Sequence, residues 1–302
     1  MSQTTLQYLS PDQGFQDPDR IDANTPDAAR AVVIPFGLEA SVSYGAGTCR
    51  GPAAILAASQ QLELFDEELR REPYKEFGIA TAHMPEIAVG VEPALDQLQE
   101  TVERVVDQGR FPLVLGGEHS LTAAAVRPFA ARHDDLVVLQ IDAHADLRDG
   151  YLGEHYSHAS AMRRVLDHAS CTVMSFGIRA LSQAEFDYID ANPRRVAIYW
   201  AHEQQHWDLA ELERRLAGRS IYVTFDVDGL DGAEMPATGT PTPGGLSYVA
   251  ALNIVKIAAR AGTIVGADVV ELAPIEGFHA YDMTAASIAN KILNYALSGT
   301  AP

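Results

Sequence analysis

Short apolar runs and longer amphipathic stretches alternate along most of this chain. The apolar runs cover residues 31–36, 111–115, 136–141, 172–176, 196–200, 221–225 and 263–270. They are rich in Val, Ile and Leu and lack polar alternation, which is the pattern of strands buried on both faces, as in a parallel sheet. The stretches between them carry a helical period. Residues 91–108 place Leu95, Leu98, Val102 and Val105 on one helical face. Residues 52–62 start with a proline, which suits a first helical turn. Further helical stretches cover 119–131, 160–167, 183–189, 208–216, 247–261 and 284–297. This alternation predicts an α/β fold, a doubly wound parallel sheet with helices on both faces.

The first 29 residues break the pattern. They are polar, rich in Asp and Gln, and without period, so they read as an arm that packs on a neighbour. Nothing later in the chain resembles an internal repeat or a linker, and the Gly- and Pro-rich stretch 239–245 is too short to separate domains. A single domain over residues 1–302, with the arm at 1–29, is the expectation.

Charge narrows the partners. The net charge of −19 over 302 residues argues against nucleic acid and against an anionic membrane. It is compatible with a cationic small molecule. Two cysteines, Cys49 and Cys171, form no C-x-x-C pair and cannot build a disulfide scaffold in a chain of this length. The chain begins without a basic segment followed by an apolar one, and it contains no run of about 18 apolar residues. A cytoplasmic location is expected.

Three strand ends carry chemistry. Leu113-Val-Leu-Gly-Gly-Glu-His119, Val138-Leu-Gln-Ile-Asp142-Ala-His144-Ala-Asp146 and Tyr222-Val-Thr-Phe-Asp226-Val-Asp228 each run from a buried strand straight into metal-ligand side chains. In open α/β sheets, ligands bind beyond the carboxyl ends of the strands. Residues i, i+2 and i+4 of an extended chain project to one side, so Asp142, His144 and Asp146 can share a site, as can Asp226 and Asp228. A lone Asp after a strand is usually a cap or turn residue. Asp-x-His-x-Asp directly behind a Val/Leu/Ile run is not explained that way. Four carboxylates and two imidazoles without a thiolate suit manganese or a similar divalent ion. Two such cations would formally balance four buried carboxylates, which otherwise cost several kcal/mol each.

Other motifs fail on inspection. Asp226 to Gly232 has Leu230 and Asp231 where an EF-hand loop needs an acidic or amide residue and a glycine. Gly45 to Gly51 is one residue too long for a dinucleotide fingerprint. Ser120 lacks the G-x-S-x-G elbow of serine hydrolases.

Taken together, Gly116-Gly-Glu-His119-Ser, Asp142-Ala-His144-Ala-Asp146 and Phe225-Asp226-Val-Asp228-Gly-Leu-Asp231 resemble the three signature motifs of the ureohydrolases, the family of arginase and agmatinase. Arg50-Gly-Pro-Ala-Ala-Ile55, Pro236-Ala-Thr-Gly-Thr-Pro241, Gly244-Gly-Leu246-Ser and Asp268-Val-Val-Glu271-Leu-Ala-Pro274 extend the resemblance, in order, from about Val33 to the last helix. It implies an arginase-like three-layer αβα fold with a parallel sheet of about eight strands, trimeric or hexameric assembly, and two Mn2+ ions per chain. Ni2+ or Co2+ would bind the same donors more tightly by intrinsic affinity. Carried over position by position, Asp142 and Asp226 bridge both ions, His119 and Asp146 complete one, and His144 and Asp228 complete the other. A hydroxide shared by the ions attacks the guanidinium carbon, and the intermediate collapses to urea and an amine. The proton for that amine comes from a His after the second motif. His158 aligns with the family residue, and His155 is its competitor. Glu271 matches the carboxylate that pairs with the substrate guanidinium.

Three departures bear on the substrate. Asp231 is followed by Gly232 instead of the family's Pro, and His158 by Ala159-Ser160 instead of Gly-Thr. Where arginase holds the amino-acid end of arginine, this chain has Leu147-Arg148-Asp149 and Ala180-Leu-Ser182. The closest resemblance is to prokaryotic agmatinases, which convert agmatine and water to putrescine and urea. Guanidinobutyrate, guanidinopropionate and guanidine are the alternative substrates, and Arg148 near the cleft could pair with the carboxylate of an acidic tail. A mononuclear zinc deacetylase would not need all six ligands. A catalytically dead regulatory homologue would have lost a ligand, His158 or Glu271, and all are present.

Overall fold

The computed structural model describes residues 6–16 and 25–298. Eight strands form one sheet: β1 Ala31–Phe36, β2 Ile79–Thr81, β3 Phe111–Gly116, β4 Leu136–Ile141, β5 Cys171–Ile178, β6 Val196–Trp200, β7 Ser220–Asp226 and β8 Thr263–Val270. Their order is β2-β1-β3-β8-β7-β4-β5-β6, and every neighbouring pair is parallel.

Successive residues of these strands feed two separate cores, which is why the apolar runs show no polar alternation. In β1, Val33 joins one core and Val32 and Ile34 the other; in β4, Val137 and Leu139 divide from Leu136 and Val138 in the same way. Helices Gly51–Ser59, Leu209–Leu216, Tyr248–Ala261 and His279–Ser298 close the first core. Helices Val91–Asp107, Thr122–Ala130 and Ala161–Val165 close the second, with Leu95, Leu98, Val102 and Val105 fully buried against the sheet. The three-layer αβα architecture and the eight parallel strands are as expected.

Local differences have physical causes. β2 escapes the pattern because three residues at the sheet edge carry too little periodicity to register. The segment 119–131 is two elements, a 3-10 turn His119–Leu121 and a helix Thr122–Ala130. The last helix starts at His279 instead of residue 284. The arm needs a correction over residues 6–16, because they pack on this chain's own sheet edge. Leu9 N–H donates to the Thr81 carbonyl at 2.8 Å, Phe15 is fully buried, and Gln16 N–H donates to Ser59 Oγ at 2.9 Å. Residues 1–5 and 17–24 lie outside the described residues.

Candidate metal centre

The four central strands β3, β8, β7 and β4 are consecutive neighbours, and each delivers a candidate residue at its carboxyl end. β7 ends on Asp226, Asp142 follows β4, Glu271 follows β8, and His119 lies three residues beyond β3. The helices after β3 and β4, Thr122–Ala130 and Ala161–Val165, border the second core, whereas those after β7 and β8, Tyr248–Ala261 and His279–Ser298, border the first, so the chain leaves neighbouring strand ends toward opposite faces and opens the crevice of a topological switch point. Leaving β3, the backbone passes so close to Leu38 that a Cβ on Gly117 would collide with the Leu38 carbonyl. Two non-glycine residues here hold a left-handed backbone, Asp146 at φ 51° and Glu271 at φ 66°. Such strain persists only where the surroundings over-determine it, and it concentrates at functional sites.

The side chains converge in two groups that share Asp142. His119, Asp142 and Asp146 form one, Asp142, His144 and Asp228 the other, each with ligand atoms within 4.8 Å of one another. His119 Nδ1 lies 3.0 Å from Asp142 Oδ2, 2.9 Å from Asp146 Oδ2 and 3.4 Å from Asp226 Oδ2. His144 Nδ1 lies 3.0 Å from Asp228 Oδ2 and 3.6 Å from Asp142 Oδ1. Asp226 therefore reaches the first group and, through its chain neighbour Asp228, adjoins the second. All six residues expected from the three strand ends meet in one place.

Three of these residues, His119, Asp142 and Asp226, are oriented from behind. Thr224 Oγ donates to Asp268 Oδ1 at 2.6 Å, so its lone pair faces His119 Nε2 at 2.8 Å. That arrangement puts a hydrogen on Nε2 and leaves Nδ1 to face the carboxylates. Asp268 is buried and takes two further hydroxyl donors, Thr122 and Tyr222, each at 2.9 Å. Asp142 accepts from His144 N–H at 2.6 Å and from the Gln140 amide at 2.7 Å, and Ser175 in turn donates to Gln140. Asp226 Oδ1 accepts from Asp228 N–H at 2.8 Å.

This donor set fits metal cations. His119 Nδ1 is buried and has no hydrogen-bond partner, although three carboxylates surround it. Buried polar atoms are rarely left so. In the metal-free chain the electrostatics are unbalanced. Burial, with the charges of Asp228 and Asp142 added, pushes the Asp226 carboxyl well above its usual range. Burial opposes protonation of His144, yet the Asp228 and Asp142 carboxylates win and push its pKa up to about 12. Burial and the nearby Glu118 raise Glu271 to about 8, against the 2.6 Å hydrogen bond that Glu271 accepts from His119 N–H.

A cavity opens above this cluster. It is lined by His119, His144, Asp146, Asp226, Asp228 and Glu271 on its floor and by His158, Tyr151, Arg148 and Tyr44 among its walls. His155 is not part of that lining; its ring lies against Arg164 Nη1, 2.6 Å from Nδ1. Sequence reasoning missed Glu185, which also lines the cavity. Ala180-Leu-Ser182 carries no charge, so the acidic side chain that this region brings to the cavity is that of Glu185, three residues further on. Glu185 is buried and engaged: it accepts from Leu147 N–H, Ser182 N–H and Ser182 Oγ, and Arg148 Nε lies at 3.7 Å. The signal was legible as a capping box, Ser182-x-x-Glu185, which reads as a helix start and hides the side chain's second position.

The arginase family model matches residues 29–297. An N(1)-aminopropylagmatine ureohydrolase from Synechocystis sp. is 35% identical over 88% of this chain and 89% of its own length. An agmatinase from Bacillus subtilis is 32% identical over 92% of this chain and 94% of its own. The crystal structure of the agmatine ureohydrolase of Thermoplasma volcanium superposes with a TM-score of 0.81 at 28% identity, covering 97% of this chain and 94% of that one. The chain belongs to the arginase family.

Proposed function

We propose that this chain hydrolyses a linear guanidino compound to urea and an amine, with agmatine giving putrescine, and that it does so with two divalent cations, Mn2+ foremost. The observation that carries the reading is the cluster of Asp142, Asp146, Asp226, Asp228, His119 and His144 beneath a cavity that also holds Glu271 and His158. Asp142 and Asp226 would bridge the ions, with His119 and Asp146 on one and His144 and Asp228 on the other. The cations' contribution, when bound, is a water made nucleophilic near neutral pH.

The remaining work falls to this chain's own side chains. Glu271 faces the cavity beside the ligands and pairs with the substrate guanidinium, whose positive charge offsets the burial that raises the carboxyl. Its strained backbone, φ 66°, aims the carboxyl at that position. His158 carries the proton that the departing amine needs, because an uncharged amine leaves and an amide ion does not. His155 lies against Arg164 and is not among the residues that line the cavity, which favours His158.

The tail end supports a decarboxylated substrate. Arg148 lies over the Tyr151 ring at 4.7 Å and beside Glu185, so it is occupied and offers a poor receptor for a carboxylate tail. Tyr44, which lines the cavity, is largely exposed, so a tail longer than that of agmatine has room to pass outward. N(1)-aminopropylagmatine is accordingly the second substrate to test. Assembly into trimers or hexamers and a cytoplasmic location complete the proposal.

The test is urea release from agmatine, N(1)-aminopropylagmatine, guanidinobutyrate and L-arginine at equal metal loading. A carboxylate brought into a cleft without a partner costs several kcal/mol, so agmatine or its aminopropyl derivative should exceed L-arginine in kcat/KM by at least about 10²-fold. Equal or better turnover of L-arginine would overturn the substrate assignment.

A further inference from the structure

Glu118 is a fully buried carboxyl with no role in the scheme above. Its oxygens take four donors: Ala40 N–H and Ser41 N–H at 2.6 Å to Oε2, Ser120 Oγ at 2.6 Å and Ser41 Oγ at 2.7 Å to Oε1. Ser41 thus spends its hydroxyl hydrogen on a carboxylate, the stronger of the bonds open to it. Only lone pairs remain on Ser41 Oγ, and both face His158. The His158 main-chain N–H donates to it at 2.9 Å, and the ring Nδ1 lies 3.2 Å away. The other hydroxyl near Nδ1, Ser157 Oγ, is farther, at 3.4 Å. A ring nitrogen that faces an acceptor must carry the hydrogen. His158 Nε2 is then the nitrogen left to exchange protons, and it points to Ser43, a cavity-wall residue, at 3.4 Å.

We infer that Ser41, anchored by Glu118, is a positioning residue for His158: it holds the imidazole in the Nδ1–H tautomer and presents Nε2 to the cavity. The inference rests on the proposed role of His158 as proton carrier. It also links two loops distant in sequence, one after β1 and one after β4, so that the carboxyl adjoining His119 fixes the geometry of both. The logic is that of a serine-protease triad, in which a buried carboxylate sets a histidine's tautomer, with a hydroxyl interposed here.

The test compares Ser41→Ala, Ser41→Thr and His158→Ala in the manganese-loaded enzyme with agmatine, together with ring 15N spectra of the zinc-loaded protein. A general acid contributes on the order of 10²–10⁴ in turnover, and loss of its orientation should remove part of that. Ser41→Ala is expected to lower kcat by about 10- to 100-fold at nearly constant KM and constant metal content. Ser41→Thr, which keeps the hydroxyl, should recover most of the loss. The spectra should show His158 with hydrogen on Nδ1 in the wild type and a shift toward Nε2–H in Ser41→Ala. Unchanged kcat in Ser41→Ala beside a crippled His158→Ala would overturn the inference and leave the proposed role of His158 standing. A wild-type His158 carrying its hydrogen on Nε2 would overturn it even if Ser41→Ala failed to fold. Full turnover in His158→Ala would instead remove the proton-carrier role on which the inference rests.

Discussion

Two clusters of buried ionisable groups sit in this molecule, and they are balanced by different means. Against the last helix, Asp66 is buried with Lys291, whose Nζ lies 3.2 Å from Asp66 Oδ2 and 2.9 Å from Glu67 Oε1. Asn294 and the main-chain N–H groups of Glu68 and Leu69 supply the other donors to Asp66. Burial would raise Asp66, yet these hydrogen bonds and the Lys291 charge hold its carboxyl below the usual range. At the carboxyl ends of β4 and β7, Asp142, Asp146, Asp226 and Asp228 are buried as deeply. Among the described residues no Lys or Arg pairs with any of them; the imidazoles are their counter-charges. The first cluster is complete as a folded chain. The second has the donor set of a metal centre, and under the proposed function cations from outside would complete it.

The largest effect that would sharpen this contrast is loss of a shared ligand. Asp142→Ala and Asp226→Ala should each lose both ions and nearly all turnover, with elemental analysis of the purified variants as the measurement. A wild-type protein that saturates at one ion per chain would break the comparison at its root, since one divalent ion leaves the four carboxylates unbalanced.

The structural cluster should respond in stability. Lys291→Met leaves Asp66 buried without its cation, and breaking a buried pair from one side costs about 3–5 kcal/mol. The denaturation midpoint should fall, while turnover per folded molecule stays level. An undiminished midpoint would mean that Lys291 is less committed to Asp66 than its distance indicates.

The same reasoning reverses sign at the metal centre. In the metal-free chain, burial and the neighbouring Asp228 and Asp142 carboxylates raise the Asp226 carboxyl, so Asp226→Asn should stabilise that form by roughly 1 kcal/mol, or ~2 °C in a chain of this size. A group whose folded-state pKa is raised gives its stability below its unfolded pKa and loses it as pH rises through the folded value. The gain from Asp226→Asn should therefore grow above the ordinary carboxylate range. Calorimetry of chelator-treated wild type and variant across pH checks this, and a destabilised metal-free variant would contradict it.

The pH dependence of metal affinity sharpens the contrast from a different side. Cations must displace the proton on His144, whose pKa stands at about 12 in the metal-free cluster, and that on His119, which is also raised. Affinity should rise about tenfold per pH unit for each proton displaced, between about pH 6 and 8. Competition with a chromophoric chelator gives the slope, and a flat profile would show that the histidines are already neutral.

Much of the site was legible along the chain because its residues are packed into short extended segments. Asp142, His144 and Asp146 stand two apart behind one strand, and Asp226 and Asp228 behind another, so the alternation of an extended backbone brings them to one side with no knowledge of the fold. The uninterrupted apolar runs announced strands covered on both faces, and seven of the eight strands follow from them. β2 did not, since Ile79–Thr81 is too brief for any period.

What the amino-acid sequence determined by itself was therefore local: which segments are strands or helices, and which strand ends carry candidate ligands. The tertiary structure decided the rest. Only the sheet order puts β3, β8, β7 and β4 side by side, so that His119 and Glu271, 152 residues apart, share a hydrogen bond. Only packing separates His158, on the cavity wall, from His155, turned to Arg164 three residues earlier. Glu185 looked like a helix-capping residue and is one, yet it also borders the cavity. The physical reason is the same in each case. Backbone periodicity acts over a few residues and can be read in order, whereas the partner of a buried polar group is chosen by strand order and loop closure, and that partner is often far away in the chain.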